Sequence, residues 1–169
     1  MIIISHNIFR LLATGLIALS IGSIAEASES LIVNPAPQFA GGSEAGRSIT
    51  LKSLRGKAVV LLMAPSPKDR AFRVQLNSLK GSYERLAAQG TIFFAAFSTS
   101  NGRIPSNIPF VLVNDPSATT AAYDVRNGFA IAVIGRDGNL DCISAKPLPG
   151  QRILDLIMNN AQIQTLLRR

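Results

Sequence analysis

The most informative hydrophobic pattern of this chain is an unbroken apolar run that leads directly into a helical repeat. Residues 58–64 read AVVLLMA, and the run ends at Pro65. Its length and β-branched content are typical of a strand buried on both faces, as at the centre of a parallel sheet. The following segment carries apolar residues at spacings of four and three, which predicts one helix with a single apolar stripe of Phe72, Leu76, Leu79, Tyr83 and Leu86.

The junction between this strand and this helix is predicted to be a capped helix start. Ser66 would be the N-cap, Pro67 the first helical residue and Asp69 a carboxylate near the positive end of the helix dipole. Backbone amides at such a start can hold a carboxylate or a phosphate, and Lys68 and Arg70 would add positive charge. Asp69 opposes that use, because its own carboxylate fills the same field.

The rest of the chain alternates strands and helices. A second apolar run at 91–97 follows the helix after Gly90, and strand–helix–strand in this order predicts a right-handed parallel crossover. An Asp-Gly turn at 137–138 predicts a hairpin, and an amphipathic helix from Gln151 onward closes the chain. The remaining predicted elements are short strands at 49–51 and 110–113, a helix at 116–123 capped by Asp115, and the hairpin strands at 129–134 and 140–143.

The first 27 residues are predicted to be a secretory signal peptide. The apolar run 11–24 is too short to span a bilayer comfortably, and Ala25-Glu26-Ala27 has the small-x-small pattern of a site cleaved after Ala27. Residues 28–48 would then be an extended segment and 49–169 one compact domain. We expect a protein that is exported to the periplasm or outside the cell and is soluble after cleavage; the alternative is an uncleaved N-terminal anchor.

Composition excludes several kinds of chemistry from the predicted mature chain. The one histidine, His6, lies in the leader, which excludes Ser-His and Cys-His nucleophile pairs and zinc sites built on imidazole. Cys142 is the only cysteine, so no intramolecular disulfide can form. The carboxylates are scattered without the spacing of an acid/base pair or a calcium loop. The sequence therefore indicates no metal site and no cofactor.

The formal net charge of +7 favours anionic partners. No window holds a dense run of Lys and Arg, so specific nucleic-acid binding is not expected. The alternative is that the charge serves only solubility. The cations at helical spacing, expected to form a solvated helix face, are Lys68, Arg70, Arg73, Lys80 and Arg85, and two more form the Arg168-Arg169 tail.

Three short motifs and the order of elements resemble the thioredoxin-like superfamily, with its peroxiredoxin and thiol-disulfide branches. Residues 49–62 are similar to the x-L-x-x-L-x-G-K-x-V-V-L segment of those proteins. The sequence AYDV at 122–125 resembles their A-Y-G-V, and IGRDG at 134–138 resembles their I-D-x-x-G. The resemblance implies a three-layer α/β fold, with a central mixed β-sheet and flanking helices.

Within that superfamily the chain is most similar to an uncharacterised domain of bacterial secreted proteins, which also occurs in vertebrate sushi-repeat matrix proteins. The matching residues are Ala64-Pro65-Ser66, Gln75, 134–138 and 153–158. That group has no established enzymatic activity, so this resemblance implies none. It adds Gln75 to the candidate binding residues Ser66, Lys68 and Arg70.

The resemblance also locates the positions of the superfamily's catalytic cysteines, and neither alignment finds sulfur there. The W-A-x-W-C-x-x-C motif places its cysteines on Pro67 and Arg70, and the peroxiredoxin motif places its threonine and cysteine on Asp69 and Phe72. The cis-proline position that faces these cysteines holds Phe129. Because thiol exchange needs a thiolate at the helix start, these departures predict that the redox function has been lost.

Cys142 alternates with Asp141 and Ile143 in the return strand of the hairpin, so it is expected to face the core as a small apolar residue. The alternative is an edge-strand thiol that forms a mixed disulfide or a covalent dimer.

We therefore favour an exported, non-catalytic thioredoxin-like binding domain, whose partner is an unknown protein or an anionic envelope component. Two alternatives stay open. One is a single-cysteine, peroxiredoxin-like protein that uses Cys142, and the other is a basic binder of anionic envelope surfaces.

Overall fold

A computed structural model describes residues 34–42, 48–100, 102–126 and 128–167, with side chains as far as Asn160. The predicted signal peptide at 1–27, its cleavage site at Ala27 and the Arg168-Arg169 tail lie outside the described residues.

The described residues form seven strands, four α-helices and one turn of 3₁₀ helix at Leu51–Leu54. The strands are β1 (Ala40–Gly42), β2 (Ser48–Thr50), β3 (Val59–Ala64), β4 (Ile92–Phe97), β5 (Phe110–Val113), β6 (Ala130–Ile134) and β7 (Leu140–Ser144). The helices are α1 (Arg70–Lys80), α2 (Tyr83–Ala88), α3 (Pro116–Ala122) and α4 (Gly150–Leu167). The strands make one sheet in the order β2-β1-β5-β4-β3-β6-β7.

Strand β3 is the central strand that its continuous apolar sequence predicts. All six of its residues are buried. It pairs in parallel with β4 and antiparallel with β6, and β4 pairs in parallel with β5, so the predicted crossover is present. The hairpin of β6 and β7 is antiparallel, as the Asp-Gly turn predicts. The predicted three-layer α/β fold with a central mixed sheet is confirmed.

The two faces of β3 belong to two separate hydrophobic clusters. Because successive side chains of a strand point to opposite faces, Val60 and Leu62 contact one cluster and Leu61 and Met63 the other. The first cluster, the helix-side core, contains apolar residues of α1, α2 and α4. The second contains Tyr123 at the end of α3. Helices therefore cover both faces of the sheet.

The helix start differs from its prediction. Helix α1 begins at Arg70, and its N-cap is Asp69, whose Oδ1 accepts a hydrogen bond from the Phe72 amide at 2.9 Å. The assignment of Ser66 as N-cap and Pro67 as first helical residue is wrong. Ser66 Oγ instead accepts from the Lys68 amide at 3.3 Å, in a turn before the helix. Two good capping residues compete here, and the later one starts the helix.

The predicted single helix is two helices, α1 and α2, separated by Gly81 and Ser82. The first residue of α4, Gly150, packs directly against this break: a Cβ on Gly150 would collide with Ser82 and with the Ser78 carbonyl oxygen. Leu79 and Leu86 still reach the same helix-side core from the two helices, and α4 begins against the break between them.

The extended segment predicted at 28–48 also contributes a strand, which was not predicted. Strand β1 lies between β2 and β5 and pairs antiparallel with both. A Cβ on Gly41 would lie 2.7 Å from Val111 Cγ1 and 2.8 Å from the Leu112 carbonyl oxygen. Glycine is therefore required for β1 to approach β5 this closely.

We expect Gly41→Ala to lower the free energy of unfolding by about 1–3 kcal/mol, because the added methyl overpacks the β1–β5 contact. Urea denaturation measures the change. Gly42→Ala is the matched control, since its Cβ would meet only Asn114 Oδ1, at 3.4 Å. Equal stability of the two variants would contradict the close approach.

Candidate functional site

The candidate site lies at the edge of the sheet where β3 and β4 end and α1 begins. Ligands of α/β proteins bind beyond the carboxyl ends of parallel strands, where loops meet helix starts. Here the loops after β3 and β4 are joined, because the Pro65 carbonyl accepts hydrogen bonds from the amides of Thr99 at 3.0 Å and Ser100 at 3.2 Å. The site is thus a closed junction of two loops and one helix start.

The positions aligned with the superfamily's cysteines are filled by residues that support this junction or face solvent. Pro67 is buried and packs against Gly102. Asp69 caps α1, and Arg70 is exposed. The carboxylate of Asp69 occupies the positive end of the helix, where the superfamily's thiolate would be stabilised. The arrangement suits a stable helix start, and no thiol lies there among the described residues.

Phe129 lies beside these residues. The antiparallel register ends with Met63 opposite Ala130, so Phe129 lies next to Ala64 at the carboxyl end of β3. Its buried ring belongs to the helix-side core, together with Phe72. A large apolar side chain therefore fills the place that the alignment assigns to the cis-proline.

Gln75 is fully buried and bonded inside the protein. Its Nε2 donates to the Leu148 carbonyl at 3.0 Å, and its Oε1 accepts from the Leu148 amide at 2.6 Å. Ser78 Oγ donates to the same carbonyl and accepts from the Gly150 amide at 2.8 Å. Gln75 therefore holds the chain that enters α4 and presents no polar atom to a ligand. Sequence spacing could not reveal this contact, because Leu148 is 73 residues away.

The exposed side of α1 carries unneutralised positive charge. Arg70, Arg73 and Lys80 are exposed and lie on one side of the helix at spacings of three and seven; we call these three residues the basic face. The one ion pair among the described residues joins Arg126 and Asp124, away from α1. An open groove of about 590 Å³, lined by residues 80–85 and 105–108, begins where the basic face ends.

Cys142 lies on the edge strand β7 and is half-buried against the helix-side core. The predicted contact of Cys142 with the core is present. Cys142 also lies on an edge strand, as the alternative of an edge-strand thiol requires. Cys142 pairs with Val133, which pairs with Val60, four residues before Ala64. At about 3.3 Å per residue and 4.8 Å per strand, the thiol is on the order of 15 Å from Ala64 at the end of β3.

The part of the chain that the structure describes contains no cluster of three or more His, Cys, Asp or Glu side chains that could bind a metal. It also contains no helix with the length and hydropathy needed to cross a membrane.

Among known proteins, this chain is similar to solved structures in its fold, without a detectable match in sequence. No family model matches the sequence, and no curated protein matches it. Among solved structures, the thioredoxin domain of a thiol-disulfide oxidoreductase from Bacteroides vulgatus has a TM-score of 0.57 at 18% identity, covering 77% of this chain and 98% of that one. The peroxidoxin BcpB from Mycobacterium tuberculosis has a TM-score of 0.57 at 13% identity, covering 75% of this chain and 96% of that one. The exposed lipoprotein thioredoxin of Streptococcus pneumoniae has a TM-score of 0.53 at 17% identity, covering 73% of this chain and 99% of that one.

These likenesses show that the chain has the thioredoxin-like fold. The neighbours are named for thiol-disulfide and peroxide chemistry, whereas this chain has one cysteine and so no CxxC motif. The resemblance predicted from the sequence is therefore confirmed at the level of the thioredoxin-like fold.

We expect Gln75→Leu to lower the free energy of unfolding by about 1–3 kcal/mol, because the partly buried Leu148 amide would lose its acceptor while side-chain volume is nearly kept. Chemical denaturation followed by circular dichroism measures the loss. Asn77→Leu, an exposed position on the same helix, is the control and should change stability by less than about 0.5 kcal/mol. A near-neutral Gln75→Leu would contradict the structural role of this amide.

Proposed function

We propose that this protein is an exported, non-catalytic interaction domain built on the thioredoxin-like fold. The observation that carries the proposal is the helix start at the end of β3. Pro67, Arg70 and Phe72 stand where exchange or peroxide chemistry would need thiols, and the one thiol of the chain is on another strand.

Chemistry supports this assignment. Disulfide exchange begins with attack by a thiolate, which the helix start stabilises, and ends when a second thiol resolves the mixed disulfide. Pro67, Arg70 and Phe72 supply no sulfur at the aligned positions. The Asp69 carboxylate that caps the helix start cannot take part in exchange. Cys142 could form a mixed disulfide only with a thiol from outside the chain, and it is half-buried.

Export and the finer family assignment are part of the proposal. The apolar leader with its Ala25-Glu26-Ala27 pattern supports export. An exposed lipoprotein thioredoxin among the structural neighbours is consistent with it. The likeness to the secreted domain of sushi-repeat proteins stays a prediction, and it would place the chain among non-enzymatic extracellular modules.

We expect wild-type protein and Cys142→Ser to be equally inactive in dithiol-driven reduction of insulin disulfides and in thiol-dependent removal of hydrogen peroxide. The reason is that no described thiol lies at the helix start. A dithiol thioredoxin serves as positive control. Activity in the wild type that Cys142→Ser abolishes would establish the single-cysteine enzyme instead.

A second candidate function, binding of an anionic envelope surface, is favoured by the basic face of α1. Its three cations are exposed and have no carboxylate partner among the described residues. A Lys or Arg near an anionic lipid surface contributes about 1 kcal/mol, and salt screens this attraction over about 10 Å at 0.1 M. Three such residues would add roughly a hundredfold in affinity.

We expect replacement of Arg70, Arg73 and Lys80 by Gln to weaken binding to phosphatidylglycerol-containing vesicles about a hundredfold at low salt. Co-sedimentation measures binding. The control variant replaces Lys52, Lys57 and Lys146, which are exposed and outside α1, by Gln and so removes the same charge.

Equal weakening in both variants would show that net charge alone is responsible. No binding by the wild type would reject the membrane surface and leave a protein partner.

A further inference from the structure

The β6–β7 hairpin contains a β-bulge that is centred on Asp141. Val133 pairs with Cys142 and Ile134 pairs with Leu140, so Asp141 is the extra residue of β7. Bulges redirect side chains. Here the Asp141 carboxylate reaches α4, where its Oδ1 accepts a hydrogen bond from Asn160 Nδ2 at 3.0 Å.

The same two side chains each leave one buried oxygen without a hydrogen bond. Asp141 Oδ2 and Asn160 Oδ1 are both inaccessible to water and have no partner among the described residues. Both are acceptors when Asp141 is ionised, and an unsatisfied buried acceptor is costly. A protonated carboxyl group has one O–H donor, so a single proton on Asp141 Oδ2 supplies the donor that Asn160 Oδ1 lacks.

We propose that Asp141 holds a proton in the folded protein and forms a carboxylic acid–amide pair with Asn160, and that this pair fastens α4 to the edge strand β7 in a pH-dependent way. In the pair, Asn160 Nδ2 donates to Asp141 Oδ1, and Asp141 Oδ2–H donates to Asn160 Oδ1. The proton is taken from solvent on acidification and returned to it as the pH rises. The inference is independent of the proposed function.

The turn between the two strands favours the protonated form. Gly135 lets the side chains converge, because a Cβ there would collide with Asn160 Nδ2 and with Asp137 Oδ1. Burial, and then the negative charge of Asp137, raise the pKa of Asp141 to about 6, while the hydrogen bond from Asn160 lowers it in part. Two carboxylates so placed are not both easily ionised.

Two arginines lie at the hairpin turn. The Arg136 guanidinium donates to the Gln89 carbonyl and side-chain oxygens, both at 3.2 Å, and the Arg55 guanidinium lies over Gly138. The neighbouring thiol, Cys142, faces the helix-side core.

Helix α4 presents no described charge at this contact. Arg152 and Asp155 are exposed in its first two turns, and Asp155 accepts a hydrogen bond from Gln151.

The sign of the pH effect follows from the raised pKa. The ordinary aspartate value is 3.8, so between about pH 4 and pH 6 the folded protein binds more protons at Asp141 than the unfolded chain. This contribution to stability is therefore complete below pH 4 and declines as the pH rises to about 6. Because Asp141 as a whole is only half-buried, we expect a change in the folding constant of roughly ten- to a hundredfold.

The test compares thermal unfolding of wild-type protein and Asp141→Asn between about pH 4 and pH 8. Asn at 141 has an amide donor in place of the O–H and so mimics the protonated acid. We expect Asp141→Asn to melt higher than wild type at about pH 8 and at the same temperature near pH 4. Asp155→Asn, on the same helix but exposed, should differ from wild type by the same small amount at every pH.

A second measurement needs no variant. The ¹³C chemical shift of the Asp141 carboxyl carbon in folded wild-type protein should titrate near pH 6. Titration near pH 4 would overturn the proposal. So would a difference in melting temperature between wild type and Asp141→Asn that does not depend on pH.

Discussion

The structure depends on the complete burial of β3 between two apolar clusters. Both faces of such a strand must be covered by helices or loops, and its backbone groups must form hydrogen bonds on both edges. Strands β4 and β6 pair with its edges, and the helix-side core covers one face. The two-sided burial of one apolar strand thus requires both the layered architecture and the central place of β3 in the sheet.

The same burial fixes where chemistry could occur and limits what it can be. The chain leaves β3 at Pro65 and must turn into α1, so the helix start lies at the edge of the sheet. In this protein the turn is closed by hydrogen bonds to the loop after β4 and by a carboxylate cap. These contacts stabilise the junction, and the Asp69 carboxylate occupies the Phe72 amide and the positive field that a reactive thiolate would use.

Positive charge extends from that junction along α1. The exposed side of α1 carries cations that have no carboxylate partner among the described residues, which suits long-range attraction to anionic surfaces. The opposite situation occurs at the β6–β7 hairpin, where a carboxylate is drawn into a partly buried contact with α4. There desolvation favours the neutral acid, so protonation becomes part of how the last helix is attached.

Sequence by itself determined the fold class, because continuous apolar runs, a 3.6-residue apolar stripe and an Asp-Gly turn are local signals of β3, α1 and the hairpin. It also excluded a dithiol site within the chain, because such a site needs two cysteines and the chain has one. Tertiary structure alone decided that Asp69 rather than Ser66 caps α1 and that β1 joins the sheet. It also decided that Gln75 bonds Leu148, just before α4, and that Asp141 bonds Asn160 in α4. These contacts join residues far apart in the chain, and the competing local signals are nearly equal in energy. Only the packing of β3 and its neighbours brings such residues together.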